Sequence, residues 1–313
     1  MKNHRTLSYI LFTLLCSSIP CTHLQGKLSL KKVSSFFGYE PYEQVIQEKY
    51  ELTPPGKLIV ENTRGNIEIT TEWKKNTIFL QATKKANRQE DLEHIQINTN
   101  QTKNEITITS NITNNTIKGS IDYQLIVPAN STLVLTTDNG SITVHNVQGV
   151  TNATTTQGNI TVYNTSHALC ACTKKNGSIT INQACGPVYA VTKHGNITIQ
   201  DAKNSVVATT EKGCINTNCL ELPTTSSIDL KTNYGTIALG LPSSTNATIS
   251  GTTSRGTVTS DHYITIQPQT TKLNSHTWNR LKKEVVGMLG SGQASISLNS
   301  VYGNIKILDT ANG

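Results

Sequence analysis

Charge is scarce in this chain. Only 15% of its 313 residues are Asp, Glu, Lys or Arg, against roughly a quarter in an average soluble domain. A chain that stays unfolded in water needs high charge and few β-branched residues, so this composition disfavours intrinsic disorder. It equally disfavours a helical bundle or coiled coil, which would be rich in Ala, Glu, Lys and Leu. Acids are scarcer than bases, 20 Asp and Glu against 27 Lys and Arg, for a formal net charge of +7. Aromatic residues make up 5%. No segment beyond the N-terminus is long and apolar enough to span a bilayer, which takes about twenty residues. What is abundant is Thr, Asn, Ser and Ile. β-Branched side chains suit strands, and Asn and Ser suit tight polar turns, so the mix predicts β-structure.

Residues 1–26 read as a secretory signal. Lys2 and Arg5 provide the positive start, Leu7 to Leu15 a mostly apolar run, and Ser17 and Ser18 small residues near a cleavage point. Export would leave a protein of the periplasm, outer membrane or cell surface. Cys21 is a candidate lipid-anchor residue, although Ser18-Ile19-Pro20 before it fits poorly with the usual Leu–small–small pattern. Simple removal with the signal is the competing reading. Five cysteines then remain, Cys170, Cys172, Cys185, Cys214 and Cys219. In an oxidising compartment an odd count predicts one disulfide plus inert thiols. Cys214 and Cys219 flank one short strand and are the expected pair. No cysteine spacing matches a zinc site.

A motif organises the rest. RGNIEI at Gly65 recurs as NGSITV at Gly140, QGNITV at Gly158, NGSITI at Gly177, HGNITI at Gly195 and YGNIKI at Gly303, with weaker copies at Gly213, Gly235 and Gly256. From Gly140 the spacings are 18, 19, 18, 18, 22 and 21 residues, then 47. Two and four residues after each glycine stand apolar side chains, such as Ile142 and Val144 or Ile197 and Ile199. Seven and five residues before it stand another pair, such as Leu133 and Leu135, and by this count Cys170 and Cys172. Three before it comes Thr137, Thr155, Thr192, Thr210, Thr232 or Thr253. Period two means a strand with one buried face. The step from the Thr to the first Ile after the glycine is odd, so the chain must turn at the glycine, where positive φ is free of steric cost. A constant period with identical residues at identical phase predicts in-register stacking: an all-β, single elongated β-solenoid (β-helix-like) with 18–22-residue coils. A run of hairpins with Asn-Gly turns is the other architecture the pattern admits.

Three consequences follow. Cys170 and Cys172 should be small buried residues. The Thr column should either bond corner backbone groups or simply reflect β-propensity. Open solenoid ends need covers. Residues 27–56, with Phe36, Phe37, Tyr39 and Tyr42, are the expected lead-in and N-terminal cap, and 57–313 the solenoid domain. The 75-residue gap between Gly65 and Gly140 reads as degenerate coils. Trp278, Leu281, Val285 and Leu289 have roughly helical spacing and predict a short helix or loop over an edge.

The order of these motifs resembles a known family. ELTPPGKLIVENTRGNIEIT (51–70), IDYQLIVPANSTLVLTTDNGSITV (121–144) and LGSGQASISLNSVYGNIKIL (289–308) are similar to the opening, middle and closing segments of the bacterial β-strand-repeat family called putative adhesins, related to head domains of autotransporter adhesins. The resemblance covers roughly residues 50–308. It implies an exported β-solenoid with no established enzymatic activity, and no functional residues to transfer. This chain departs from the family in its Thr and Asn content, its cysteines and the basic stretch Lys272–Lys283.

Chemistry is thin. Between 132 and 260 the acids are Asp138, Asp201, Glu211, Glu221 and Asp229, at no shared phase. That argues against paired catalytic carboxylates and against a calcium site. The reading is therefore no enzyme, no catalytic residue, no metal and no cofactor. A carbohydrate-active solenoid enzyme and a self-assembling structural protein remain the alternatives. One feature recurs: Lys175, Lys193, His194 and Lys212 stand one or two residues before corner glycines. Stacked, they predict a basic edge for an anionic ligand, a glycan or lipid head group before nucleic acid, because base-stacking aromatics are few there. Solvation of the corners is the competing reading. The expected function is adhesion or structural binding to a surface or envelope component.

Overall fold

The computed structural model describes residues 29–32, 42–52, 55–71, 76–113, 116–266 and 283–310. The expected signal segment 1–26 with Cys21, and Phe36, Phe37, Tyr39, Trp278 and Leu281, lie outside them. The N-terminal part holds β1 (Ser29–Lys32), β2 (Tyr42–Glu51), β3 (Lys57–Arg64), β4 (Ile67–Thr71), β5 (Thr77–Ala86), β6 (Ile95–Gln101), β7 (Glu105–Ile112) and β8 (Ser120–Val127), with one 3-10 turn at Glu90–His94. The middle holds β9 (Thr132–Asn139), β10 (Ile142–Val147), β11 (Thr151–Gln157), β12 (Ile160–Thr165), β13 (Leu169–Asn176), β14 (Ile179–Ala184), β15 (Val188–His194), β16 (Ile197–Ala202), β17 (Val206–Lys212), β18 (Ile215–Cys219), β19 (Ser227–Tyr234) and β20 (Ile237–Leu241). The C-terminal part holds β21 (Ala247–Thr253), β22 (Val258–Ser260), β23 (Thr265–Ile266), β24 (Glu284–Leu289), β25 (Ala294–Tyr302) and β26 (Ile305–Asp309).

These strands form two 13-stranded sheets, mostly parallel. Each repeat contributes one strand to each sheet and changes sheet at its glycine. Odd-numbered β9 to β19 lie in one sheet and even-numbered β10 to β20 in the other. Equivalent residues pair in register: Ile142 with Ile160, Ile160 with Ile179, Ile179 with Ile197 and Ile197 with Ile215. Parallel pairing rules out the run of hairpins for these repeats. The apolar positions around each glycine meet between the sheets, and Leu133, Leu135, Ile142, Ile197 and Ile199 have no exposed surface.

Three columns at the glycine corner explain the motif. First, the glycines stack so closely that a Cβ on Gly158 would lie 2.0 Å from the carbonyl oxygen of Gly140. Second, the inward Thr column bonds those carbonyls. The hydroxyls of Thr137, Thr155, Thr210 and Thr232 donate to the oxygens of Gly65, Gly140, Gly195 and Gly213 in the preceding repeat, at 2.9–3.1 Å. The Thr is therefore a hydrogen-bonding residue as well as a strand former. Third, the residue after the glycine forms a side-chain ladder. Asn66 Oδ1 accepts from the Ser141 amide at 2.9 Å, Ser141 Oγ from the Asn159 amide at 3.3 Å, and Asn159 Oδ1 from the Ser178 amide at 2.9 Å. Buried or crowded backbone groups need such partners. The second corner carries a glycine in two repeats, Gly149 and Gly186, but not at its left-handed position. Asn146, Asn164, Gln183 and Asp201 adopt φ of 55–60° there, a left-handed conformation that short polar side chains tolerate best.

The expectation for Cys170 and Cys172 is corrected. Gly158 and Gly177 are 19 residues apart, one more than the repeats on either side. The extra residue is absorbed late, between the paired Thr173↔Thr192 and Asn176↔His194, where Lys174 and Lys175 face Lys193 alone. Upstream of that bulge, Leu169, Ala171 and Thr173 keep the inward register. Counting back from the glycine is therefore off by one. Both cysteines lie on the outer face, half-buried, Cys170 between Asn152 and Tyr189 and Cys172 between Thr154 and Val191.

The ends depart further from sequence order. In both sheets the β7–β8 repeat lies outside the β3–β4 repeat, although it follows it in the chain. At the other end β25 pairs with both β19 and β21, and β26 with both β20 and β22. The last repeat is thus inserted between two earlier ones. The 75-residue gap contains that displaced repeat and an antiparallel excursion, rather than a series of degenerate coils. Each end is covered by antiparallel strands. At the N-terminal end β5, β2 and β1 extend one sheet, and Tyr42, Ile46 and Tyr50 pack against the core. Lys85, between Asp122 at 2.9 Å and Glu43 at 3.6 Å, ties β8, β5 and β2 together. At the C-terminal end β24 and β23 extend the other sheet, with Ile264 against the core. Val285 and Leu289 lie on β24, a strand and not a helix, because β21 offers it a free edge to pair with.

Candidate functional site

The structure places the residues of the expected basic edge in two columns. His194 pairs with Lys212, and Asn176 with His194. His194 and Lys212 thus share the column next to the glycine, with His194 Nδ1 3.0 Å from Asn176 Oδ1. Lys193 lies one residue earlier, beside Glu211, between the paired Thr192↔Thr210 and His194↔Lys212. Lys175 faces Lys193 across the bulge. A single row of Lys175, Lys193 and Lys212 is therefore not formed, because the bulge and the changing offset from the glycine separate them.

The column of His194 and Lys212 continues into residues the sequence left scattered. Lys212 pairs with Tyr234 and Tyr234 with Tyr302. The two tyrosine rings stack with centroids 4.7 Å apart and planes 3° from parallel. Arg255 Cζ lies 5.2 Å from the Tyr302 centroid, over the ring. The backbone holds it there, the Arg255 amide donating to the Val301 carbonyl at 2.9 Å. The result is an exposed ridge in the order His194, Lys212, Tyr234, Tyr302, Arg255. Tyr234 is 52% and Tyr302 40% exposed. Neither Lys212 nor Arg255 forms an ion pair among the described residues. Only the insertion of β25–β26 brings Tyr302 beside Tyr234 and Arg255 beside Tyr302. The signal in the sequence was the shared position of all three before a corner glycine.

The remaining candidates are dispersed. Cys214 and Cys219 are free, and the expected disulfide is corrected. Cys214 is exposed at the corner, whereas Cys219 closes β18 with its thiol inside the core. Five extended residues span about 16 Å, and a disulfide requires Cα atoms within about 7 Å. Burial raises the Cys219 thiol from its ordinary 9.0 to about 12. Burial also raises Cys170, with Cys172 adding to the effect, and raises Cys172, with Lys174 opposing. The thiolate is the reactive form. Iodoacetamide at neutral pH should therefore modify the exposed Cys185 and Cys214 first, and Cys219 only after unfolding. Peptide mass spectrometry checks this, and early loss of Cys219 from folded protein would contradict the buried assignment. Because the fold favours the neutral Cys219 thiol, its contribution to stability is complete below about pH 9. It is lost as pH rises towards 12. Cys219→Ala should remove that component from a pH–stability profile.

A shallow apolar depression of about 260 Å³ on the outer face is lined by Val150, Cys170, Pro187, Tyr189 and Val207 among others. Among the described residues, no three or more His, Cys, Asp or Glu gather as metal ligands. No helix among them is long and apolar enough to cross a membrane.

No family model and no curated protein matches the chain. Solved structures do. A structure described as a putative adhesin from Bacteroides fragilis is 18% identical, covers 84% of this chain and 97% of its own, and superposes with a TM-score of 0.43. A putative cell adhesion protein from Clostridium sporogenes is 12% identical over 87% of this chain and 100% of its own, with a TM-score of 0.26. A putative adhesin from Parabacteroides distasonis is 9% identical over 84% and 97%, with a TM-score of 0.36.

Proposed function

We propose that this chain is a non-enzymatic β-solenoid exported to the cell envelope or surface, where it serves adhesion or envelope-structural binding. The observation that supports this reading is how the repeat uses its residues. Ten repeats stack with parallel strands in both sheets, about 43 Å from first to last at 4.8 Å per step. Inward positions hold apolar side chains or Thr, the Thr column before the glycine bonds corner carbonyls, and the residue after the glycine bonds the next repeat. Stacking thus dictates the inside and the glycine corner. The outer faces and the column before the glycine are free to vary, and they are long, solvated and regularly spaced. Such a rod acts by presenting many separate contacts. The signal segment and the absence of a shared phase for acids agree with this use. An array of glycans and surface lipids tests the reading. Saturable binding to at least one surface component is expected. Absence of binding across the array, together with release of fragments from a polysaccharide, would replace it with a carbohydrate-active enzyme.

A further inference from the structure

We propose that the ridge His194–Lys212–Tyr234–Tyr302–Arg255 binds an anionic polysaccharide lying along the stacking axis. The inference rests on the surface-binding reading and names its ligand class and site. Every side chain in the ridge can present an N–H or O–H donor, and none carries a negative charge. The flanking column after the glycine, Asn196, Cys214, Thr236, Asn304 and Thr257, contains no carboxylate either. Glu211 stands in the other flanking column, beside Lys193. Lys212 and Arg255 sit three strand spacings apart, about 14 Å, with the two phenols between them. Two cations held about 14 Å apart along a line suit a polymer with repeated acidic groups more than one compact anion.

The stacking geometry decides against nucleic acid. Single-stranded bases bind by lying on open aromatic faces. Tyr302 is sandwiched between Tyr234 on one side and the Arg255 guanidinium on the other. Tyr234 has one face on Tyr302 and is followed in register by Lys212 on its other side. Tyr302 therefore has no open face and Tyr234 at most one, too few for successive bases to stack, while ring edges and hydroxyls point outward. Those can bond sugar hydroxyls and carboxylate or sulfate oxygens, while the flanking cations supply the charge. The stack also holds both phenols in one orientation, so little side-chain freedom is lost on binding.

The protein carries +7 overall, so unspecific attraction to polyanions must be separated from the ridge. Affinity for heparin, which is sulfated, and polygalacturonate, which bears only carboxylates, is measured over a salt series, with neutral dextran as control. Binding to at least one polyanion and not to dextran is expected. Lys212→Gln with Arg255→Gln should weaken it by about tenfold, or 1.4 kcal/mol. Lys103→Gln with Lys118→Gln removes the same charge from exposed positions in the N-terminal part and should change it less than about twofold. Tyr234→Phe with Tyr302→Phe keeps the stack and net charge and should still weaken binding by about threefold. Tyr234→Ala with Tyr302→Ala should weaken it further if the protein folds. Equal losses in the two charge variants, or unchanged affinity in the Phe variant, would overturn the ridge as the site while leaving surface binding intact. Binding to phosphatidylglycerol vesicles with no affinity for either polyanion would overturn the polysaccharide and favour a membrane. No binding to any of these probes would also overturn the proposal, and the broader array then decides the function separately.

Discussion

Gly158→Ala should be among the most damaging single substitutions in the chain. Gly158 adopts φ of +146°, and a Cβ there would lie 2.0 Å from the Gly140 oxygen and 2.5 Å from its carbon. The obstacle is backbone held by its own strand pairing, so it cannot swing aside like a flexible side chain. Thr155 already bonds that same Gly140 oxygen at 2.9 Å. Moving the carbonyl to admit a methyl group would disturb this bond and the pairing of both strands. Overpacking typically costs about 1–3 kcal/mol, and a residue in a sparsely populated conformation about 1–3 kcal/mol more. A loss of roughly 2–6 kcal/mol is expected in urea unfolding, against less than about 0.5 kcal/mol for Asn152→Ala on the exposed outer face. Equal stability of the two variants would mean that the glycines are not packed as a column.

The second large effect concerns the C-terminus. Deleting residues 293–313 should destabilise far more than removal of a terminal repeat. In an ordinary stacked-repeat protein the last repeat has one neighbour, and its loss removes one interface. Here β25 and β26 have neighbours on both sides in both sheets. Deletion strands the β21–β22 repeat and its antiparallel cover away from the stack. It also removes Ile296, Leu298, Ile305 and Ile307, each at most 2% exposed. At about 1.5–3 kcal/mol per buried side chain, roughly 6–12 kcal/mol of transfer free energy is forfeited. Hydrogen exchange should then show loss of protection through β19–β22 and spreading proteolysis from the C-terminal end. If protection is lost only within β21–β24 and the rest is unchanged, the inserted repeat is not needed to hold its neighbours.

How much of this was readable depended on where the information lay. The alternation around Gly140, Gly158, Gly195 and Gly213 revealed the inward positions, because period two and parallel register follow from local geometry alone. Thr137 and Thr210 were legible as corner residues for the same reason. Cys170 and Cys172 were misplaced by one position, since a sequence spacing of 19 does not say where the extra residue is absorbed. Lys174 and Lys175 absorb it at the exposed corner, the place where a bulge disturbs no core side chain. The disulfide was misread because closeness in sequence is the opposite of closeness in an extended strand.

The ridge shows the same division. Lys212 and His194 come from consecutive repeats, so regular stacking placed them together from the sequence. Tyr234, Tyr302 and Arg255 are up to 68 residues apart. Their contact depends on which strand enters which gap. Thr, Asn, Ile and a steady glycine period determined, without any fold in hand, that the protein has all-β repeats with a dry inside and polar corners. Those are properties of each repeat and its immediate neighbour. The order of the repeats at the two ends was decided only by the tertiary structure. Every strand edge accepts any in-register partner of the same pattern, so near-identical repeats carry no label saying which one belongs beside which. The last repeat fills the gap between two earlier ones, and that insertion assembles the aromatic and cationic ridge.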